Sequence, residues 1–184
     1  MSAQSWQQTL ITAQGDGTAL TAAAAATMLP AAAKYTLPAN FFDYVGKQLL
    51  IKASGRISCA VTTPGTARYD VRFGATVVAD TTAMNLNIVA KTNVNWLLEL
   101  LLTCRAVGTS ASLMWQGTWI SEAVIGSPLP TVGGSGVFTL PYNSAPAVGN
   151  TFDSTATQVV DLFYTQTVAT ASLTLHQYSL ISMN

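Results

Sequence analysis

Charge is the scarcest property of this sequence. Asp, Glu, Lys and Arg make up 9% of its 184 residues, where a typical soluble domain carries roughly 25%. Eight basic residues balance eight acidic ones, so the net charge is zero. That removes the long-range field that would steer a chain toward nucleic acid or an anionic membrane, and neither partner is expected. Near-zero net charge also promotes association. Much of the surface is therefore expected to end against partner subunits.

Histidine and cysteine are nearly absent too. One histidine, His176, cannot build a multi-histidine metal site, and no cysteine cluster joins it. Cys59 and Cys104 are too few for a disulfide framework and lie outside any CxxC pair. Each sits in an apolar strand-like run, where a cysteine reads as a small buried hydrophobe. No metal or other cofactor is expected. As a general base His176 would need a nucleophile and an orienting acid, and the sequence has no GxSxG elbow. The carboxylates are scattered, although distant pairs such as Glu99 with Asp161 could meet in space, as glycosidase chemistry requires. The tract Gly133 to Gly136 lacks the Lys-Ser/Thr ending of a phosphate loop and leads into a strand. The expectation is a protein that is not an enzyme.

Long apolar runs are missing as well. The stretch from Trp96 to Leu102 is far shorter than a membrane span, and the alanine run Ala22 to Ala26 is short and followed by Pro30. The chain opens without a basic segment leading into an apolar one, so a secretory signal is not expected and folding in a cytosol is.

What the sequence has is alternation. From Lys47 to Val61, Leu49, Ile51, Ala53, Gly55, Ile57, Cys59 and Val61 fall on one face, and Gln48, Lys52, Ser54, Arg56 and Ser58 on the other. Period two marks a half-buried strand, and Gly55 in its middle predicts a bulge or bend. After a Thr63-Pro64-Gly65 turn, Ala67, Tyr69, Val71 and Phe73 face in while Arg68, Asp70 and Arg72 face out. Short strands are predicted over Thr76 to Ala79 and Met84 to Ala90. Asn95 to Val107 is apolar on both faces, with Trp96, Leu98, Leu100, Leu102, Cys104 and Ala106 on one side and Leu97 and Leu101 on the other. It pairs as a hairpin with Ala111 to Val124, in which Leu113, Trp115, Gly117 and Trp119 share a face. A strand covered on both sides lies centrally in a sandwich or under a neighbouring subunit. Ile125 to Asn150 is rich in Gly and Pro and reads as a loop with one strand, Val137 to Leu140. Thr155 to Thr167 and Ser172 to Met183 close the chain.

These segments give about eight strands joined by short turns, which means an all-β sandwich or barrel. No fixed-period repeat appears. Residues 34–184 are expected to form the β domain. Residues 1–33, alanine-rich with a short strand near Leu20 or a brief helix, are expected to form an extended N-terminal arm.

Several stretches, taken in order, carry a resemblance: Leu37-Pro38-Ala39-Asn40-Phe41-Phe42, Gly46-Lys47 and Ala53-Ser54-Gly55-Arg56-Ile57-Ser58; then Thr62-Thr63-Pro64-Gly65-Thr66 running into Asp70-Val71-Arg72-Phe73-Gly74. Trp96-Leu97-Leu98-Glu99-Leu100, Cys104-Arg105-Ala106-Val107-Gly108 and the closing Ile181-Ser182-Met183-Asn184 continue it. From about Thr36 onward the chain resembles small structural proteins encoded among the head and tail genes of tailed bacteriophages. The resemblance implies an antiparallel jelly roll that forms a homotrimer and decorates the virion capsid, beside the major capsid protein, after assembly in the host bacterial cytoplasm. Head fibres and tail components are similar. Subunit or capsid contact is expected at Trp6, Leu10, Leu97, Leu101, Trp115, Trp119, Phe138 and Tyr142. The alternative is a receptor- or glycan-binding module, with Phe138 and Tyr142 as stacking residues beside the 125–150 loop.

Overall fold

A computed structural model describes residues 6–60, 63–124 and 136–183. In chain order its strands are β1 (Gln7–Thr12), β2 (Ala25–Thr27), β3 (Tyr35–Leu37), β4 (Gln48–Cys59), β5 (Thr66–Phe73), β6 (Thr76–Asp80) and β7 (Met84–Asn85). They continue with β8 (Lys91–Ala106), β9 (Ser112–Ser121), β10 (Val137–Leu140), β11 (Gln158–Gln166) and β12 (Ser172–Met183). A 3-10 turn covers Ala31–Ala33.

Two antiparallel sheets form a sandwich. The first runs β1-β12-β4-β8-β9-β10, and the second β2-β11-β5-β6, with β3 added on β11 and β7 on β5. The order follows from one long ribbon rolled up. Strands β1 and β12, β2 and β11, β4 and β8, and β5 and β6 are the ribbon's paired halves. The pairings β12 with β4 and β11 with β5 join its edges as it rolls. This is the jelly-roll connection of two Greek keys, extended at one edge by β9 and β10.

The alternation read in the sequence is the alternation that packs. In β4, Leu49, Ile51, Ala53, Ile57 and Cys59 are buried, and in β8, Trp96, Leu98, Leu100, Leu102 and Cys104 are. Complete burial of such side chains stabilises by about 1.5–3 kcal/mol each before the entropy of ordering them is counted. Tyr69 of β5 bridges the sheets: its ring lies 4.8 Å from that of Trp119, 5.3 Å from Tyr164 and 5.9 Å from Trp96. A second group at one end joins Phe42, Phe73 and Phe152, with Phe73 and Phe152 edge to face at 4.9 Å.

Three expectations are corrected here. Among the described residues the strands number twelve, not about eight, because β1, β2 and β3 carry no clear alternation of their own. Residues 6–33 run along the β domain and pair with it. Strand β1 is the edge of the first sheet, β2 pairs with β11, and Met28, Leu29 and Ala33 are buried in the core. Leu20, expected to start a strand, makes only a bridge to Leu173. The irregularity predicted at Gly55 is real but belongs to its neighbour. Leu175 pairs with Gly55 and Gln177 with Ser54, so His176 is the extra residue of a bulge in β12.

Candidate functional site

The outward faces of the two sheets are chemically unlike. On the second sheet the outward residues of β5 are Arg68, Asp70 and Arg72, and all three are engaged in ion pairs. Arg68 pairs with Asp80, and Arg72 Nε lies 2.5 Å from Asp70 Oδ1. Those hydrogen-bonded carboxylates hold both guanidinium groups above their usual pKa. The Arg72 guanidinium also covers the Phe163 ring at 3.7 Å. Asp161 of β11 accepts from Lys34 Nζ at 2.5 Å, from Thr27 Oγ1 at 2.5 Å and from the Leu162 N–H at 2.9 Å. This face has partners within its own chain for the charge it carries.

The outer face of the first sheet is different. Pairing register lays its side chains out in rows across the strands. The central row reads Thr12, Ser179, Lys52, Glu99, Thr118, Thr139, from β1 to β10. One neighbouring row reads Thr9, Ile181, Leu50, Leu101, Gln116. The row on the other side reads Gln177, Ser54, Leu97, Ile120, Val137. Two rows bearing Leu, Ile and Val thus flank a row of hydroxyls with one ion pair at its middle, Lys52 Nζ to Glu99 Oε2 at 3.2 Å. Leu97 is 46% exposed, Leu101 37%, Ile120 41% and Val137 54%. Single exposed apolar residues are ordinary, but two such rows gathered on one sheet face mark a contact surface. A shallow groove of about 560 Å³ crosses the face, with Thr12, Lys52, Ser54, Leu97, Glu99 and Gln177 among its lining residues.

The residues named from the sequence divide accordingly. Leu97 and Leu101 lie on this face, four residues apart on β8. Trp115 and Trp119 do not: both are buried between the sheets, because the face of β9 that they share is the inner one. That corrects their assignment as contact residues. Trp6, just before β1, is about half exposed, whereas Leu10 is partly buried against the core. Phe138 is buried, and its ring meets that of the half-buried Tyr142 edge to face at 5.4 Å. The glycan-stacking expectation therefore lacks an exposed ring at Phe138. The first part of the loop linked to it, residues 125–135, lies outside the described residues. In the groove Tyr178 is the aromatic lining residue, and it is buried.

Leu50, Ile120 and the Lys52–Glu99 pair were missed as site residues. Alternation alone would have placed Leu50 beside Lys52, and Ile120 opposite Trp119. What local pattern could not supply was the cross-strand register that gathers them. As for chemistry, His176 Nδ1 lies 2.8 Å from Asp16 Oδ1 at the bulge. Glu99 and Asp161 stand on the outward faces of different sheets. Among the described residues no three His, Cys, Asp or Glu side chains come together as a metal site.

No family model matches the chain, and no curated protein does. Among solved structures, one similar in outline is the CBM2 module of the evolved Dit of Lactobacillus casei BL23 phage J-1. The alignment spans 99% of this chain and 98% of that one, at 9% identity and a TM-score of 0.34. Likeness at that level is too slight to bear on function.

Proposed function

We propose that this chain is a structural protein of a tailed-phage virion, acting by subunit contact as a capsid decoration protein. The observation that carries the proposal is the contrast between the two outward faces. The second sheet's face is dominated by charges that pair within the chain; the first sheet's face sets the Lys52–Glu99 pair between rows that present Leu50, Leu97, Leu101, Ile120 and Val137. Exposed apolar side chains gathered in neighbouring rows of one sheet face mark a contact with another protein. The ordered resemblance from about Thr36 onward supplies the setting: the virion surface, next to the major capsid protein, reached after assembly in the host cytoplasm.

A receptor- or glycan-binding module is the competing reading, and the groove offers it polar groups at Lys52, Ser54, Glu99 and Gln177. It lacks an exposed ring among the described lining residues, which sugar stacking would use, so the structural role is preferred. Cryo-electron microscopy of particles made by the phage that encodes the chain tests the choice. Regular density for this fold on the capsid supports decoration. Particles without the chain, together with specific retention of the purified protein on a glycan array, would replace it with the binding module.

A further inference from the structure

The register of the first sheet shows more than an uncovered face: it shows what fits there. The centre of the six-strand order lies between β4 and β8. Lys52 and Glu99 face each other across that line. An axis in the contact plane, parallel to the strands and above the line, exchanges β4 with β8, β12 with β9 and β1 with β10. Two copies related by it bring Lys52 of each over Glu99 of the other. The four charges then form a square of alternating sign, with two pairs inside the chains and two between them. The same operation sets Leu50 over Leu101 of the second copy, Ser54 over Leu97, Ser179 over Thr118 and Thr12 over Thr139. The central row and the Leu50–Leu101 pair are self-complementary about the line, as an isologous contact demands, while the third row sets Gln177 and Ser54 of one copy against Ile120 and Leu97 of the other.

We infer that the outer face of the first sheet is the contact for a second copy of this chain, paired about a two-fold axis through the Lys52–Glu99 line. The inference rests on taking this face as a contact surface. It replaces the trimer implied by the resemblance with a pair as the basic unit. Size agrees: six strands about 4.8 Å apart, over paired lengths of about nine residues, cover on the order of 800 Å², about what each partner of a stable interface buries. Twisted sheets stacked this way lie at about 30° to each other. The side chains at the centre, which lies on the axis, keep their partners, and the outermost strands diverge.

Charge exchange between copies tests this directly. Lys52→Glu makes the centre of the face wholly acidic, and Glu99→Lys makes it wholly basic. Both side chains are about half exposed, so both variants should fold with the parent circular dichroism spectrum. Light scattering should report two chains for the parent, and each variant alone should need at least about tenfold more protein to pair. Equimolar mixing should restore a two-chain particle with one chain of each kind, identified by native mass spectrometry. Only contact between copies can produce that rescue, since neither chain regains its internal ion pair. Variants that pair as well as the parent, a mixture that stays dissociated, or a parent of one or three chains would overturn the inference. A chain found on virions but single or trimeric in solution would remove the pair and leave the virion role. A pair in solution that is absent from particles would do the reverse.

Discussion

A Cβ built on Gly55 would stand 2.0 Å from the carbonyl oxygen of Thr174, on the neighbouring strand β12, and 3.0 Å from the Leu175 Cα. Both obstacles are backbone, so neither can rotate away. The close approach lies beside the bulge at His176, just where β4 has no side chain. Gly55→Ala should therefore force the two strands apart and cost about 3 kcal/mol, the upper range for overpacking a core. A urea unfolding midpoint measures it. A midpoint within experimental error of the parent would mean that the strands separate without penalty.

Asp161 ties the early segments to β11. Its carboxylate accepts from Thr27 in β2 and from Lys34 just before β3, besides its own following N–H. The carboxylate is largely buried and the Lys34 side chain is 30% exposed, so solvent screens part of the ion pair. Asp161→Ala should destabilise by about 2–3 kcal/mol, mostly through donors left without an acceptor. Asp161→Asn, which keeps an acceptor oxygen, should lose roughly half of that. Limited proteolysis should also begin within residues 20–34 in the alanine variant. Resistance equal to the parent would show that this segment is held by Met28 and Leu29 alone.

Tyr69, Tyr164 and Tyr178 hold buried hydroxyls without a hydrogen-bond partner among the described residues. Burial pushes all three above the ordinary value of 10. In the unfolded chain they ionise near 10; in the folded chain they resist. Their contribution is thus complete below pH 10 and is lost as pH rises toward the folded values. Well above pH 10 the loss should approach about 4 kcal/mol per pH unit for three groups. A near-ultraviolet phenolate titration should show half of the six tyrosines ionising only as the fold is lost. Smooth titration of all six in a chain that stays folded would contradict this.

Cys59 and Cys104 are both free and buried, and desolvation raises both thiols. They close opposite ends of the β4–β8 pair: Cys104 donates its N–H to Lys47 O, before β4 begins, and Cys59 ends that strand. Strand rise puts them on the order of 35 Å apart, beyond any disulfide. A thiol reagent at neutral pH should find almost no reactive thiol in the native chain and two after denaturation. Fast native labelling would show that one strand end frays.

The long strands were legible because their burial is local in origin. Gln48–Cys59, Lys91–Ala106 and Ser172–Met183 each alternate over many residues, and period two requires no knowledge of the partner. Residues 6–37 were not legible for the opposite reason. Thr27 meets Phe163 and Gln7 meets Met183, contacts that span most of the chain. Alanine-rich segments give no periodic signal of where they will dock. Trp115 and Trp119 were assigned to one face correctly, but choosing the inner side needed the second sheet, since β8 beside them is apolar on both faces. The contact face itself was half visible, as Leu97 and Leu101; its centre, Lys52 opposite Glu99, exists only in register.

The claim on which the rest depends is that this face is covered by another chain. Sedimentation equilibrium of a Leu97→Lys, Leu101→Lys double variant beside the parent tests it most directly, with urea midpoints taken on both. The parent should weigh two chains of 19.3 kDa. The variant should weigh one, with its midpoint shifted only by the lost association, because neither leucine enters the core. A parent that weighs one chain, or a variant that associates as tightly as the parent, would contradict the account.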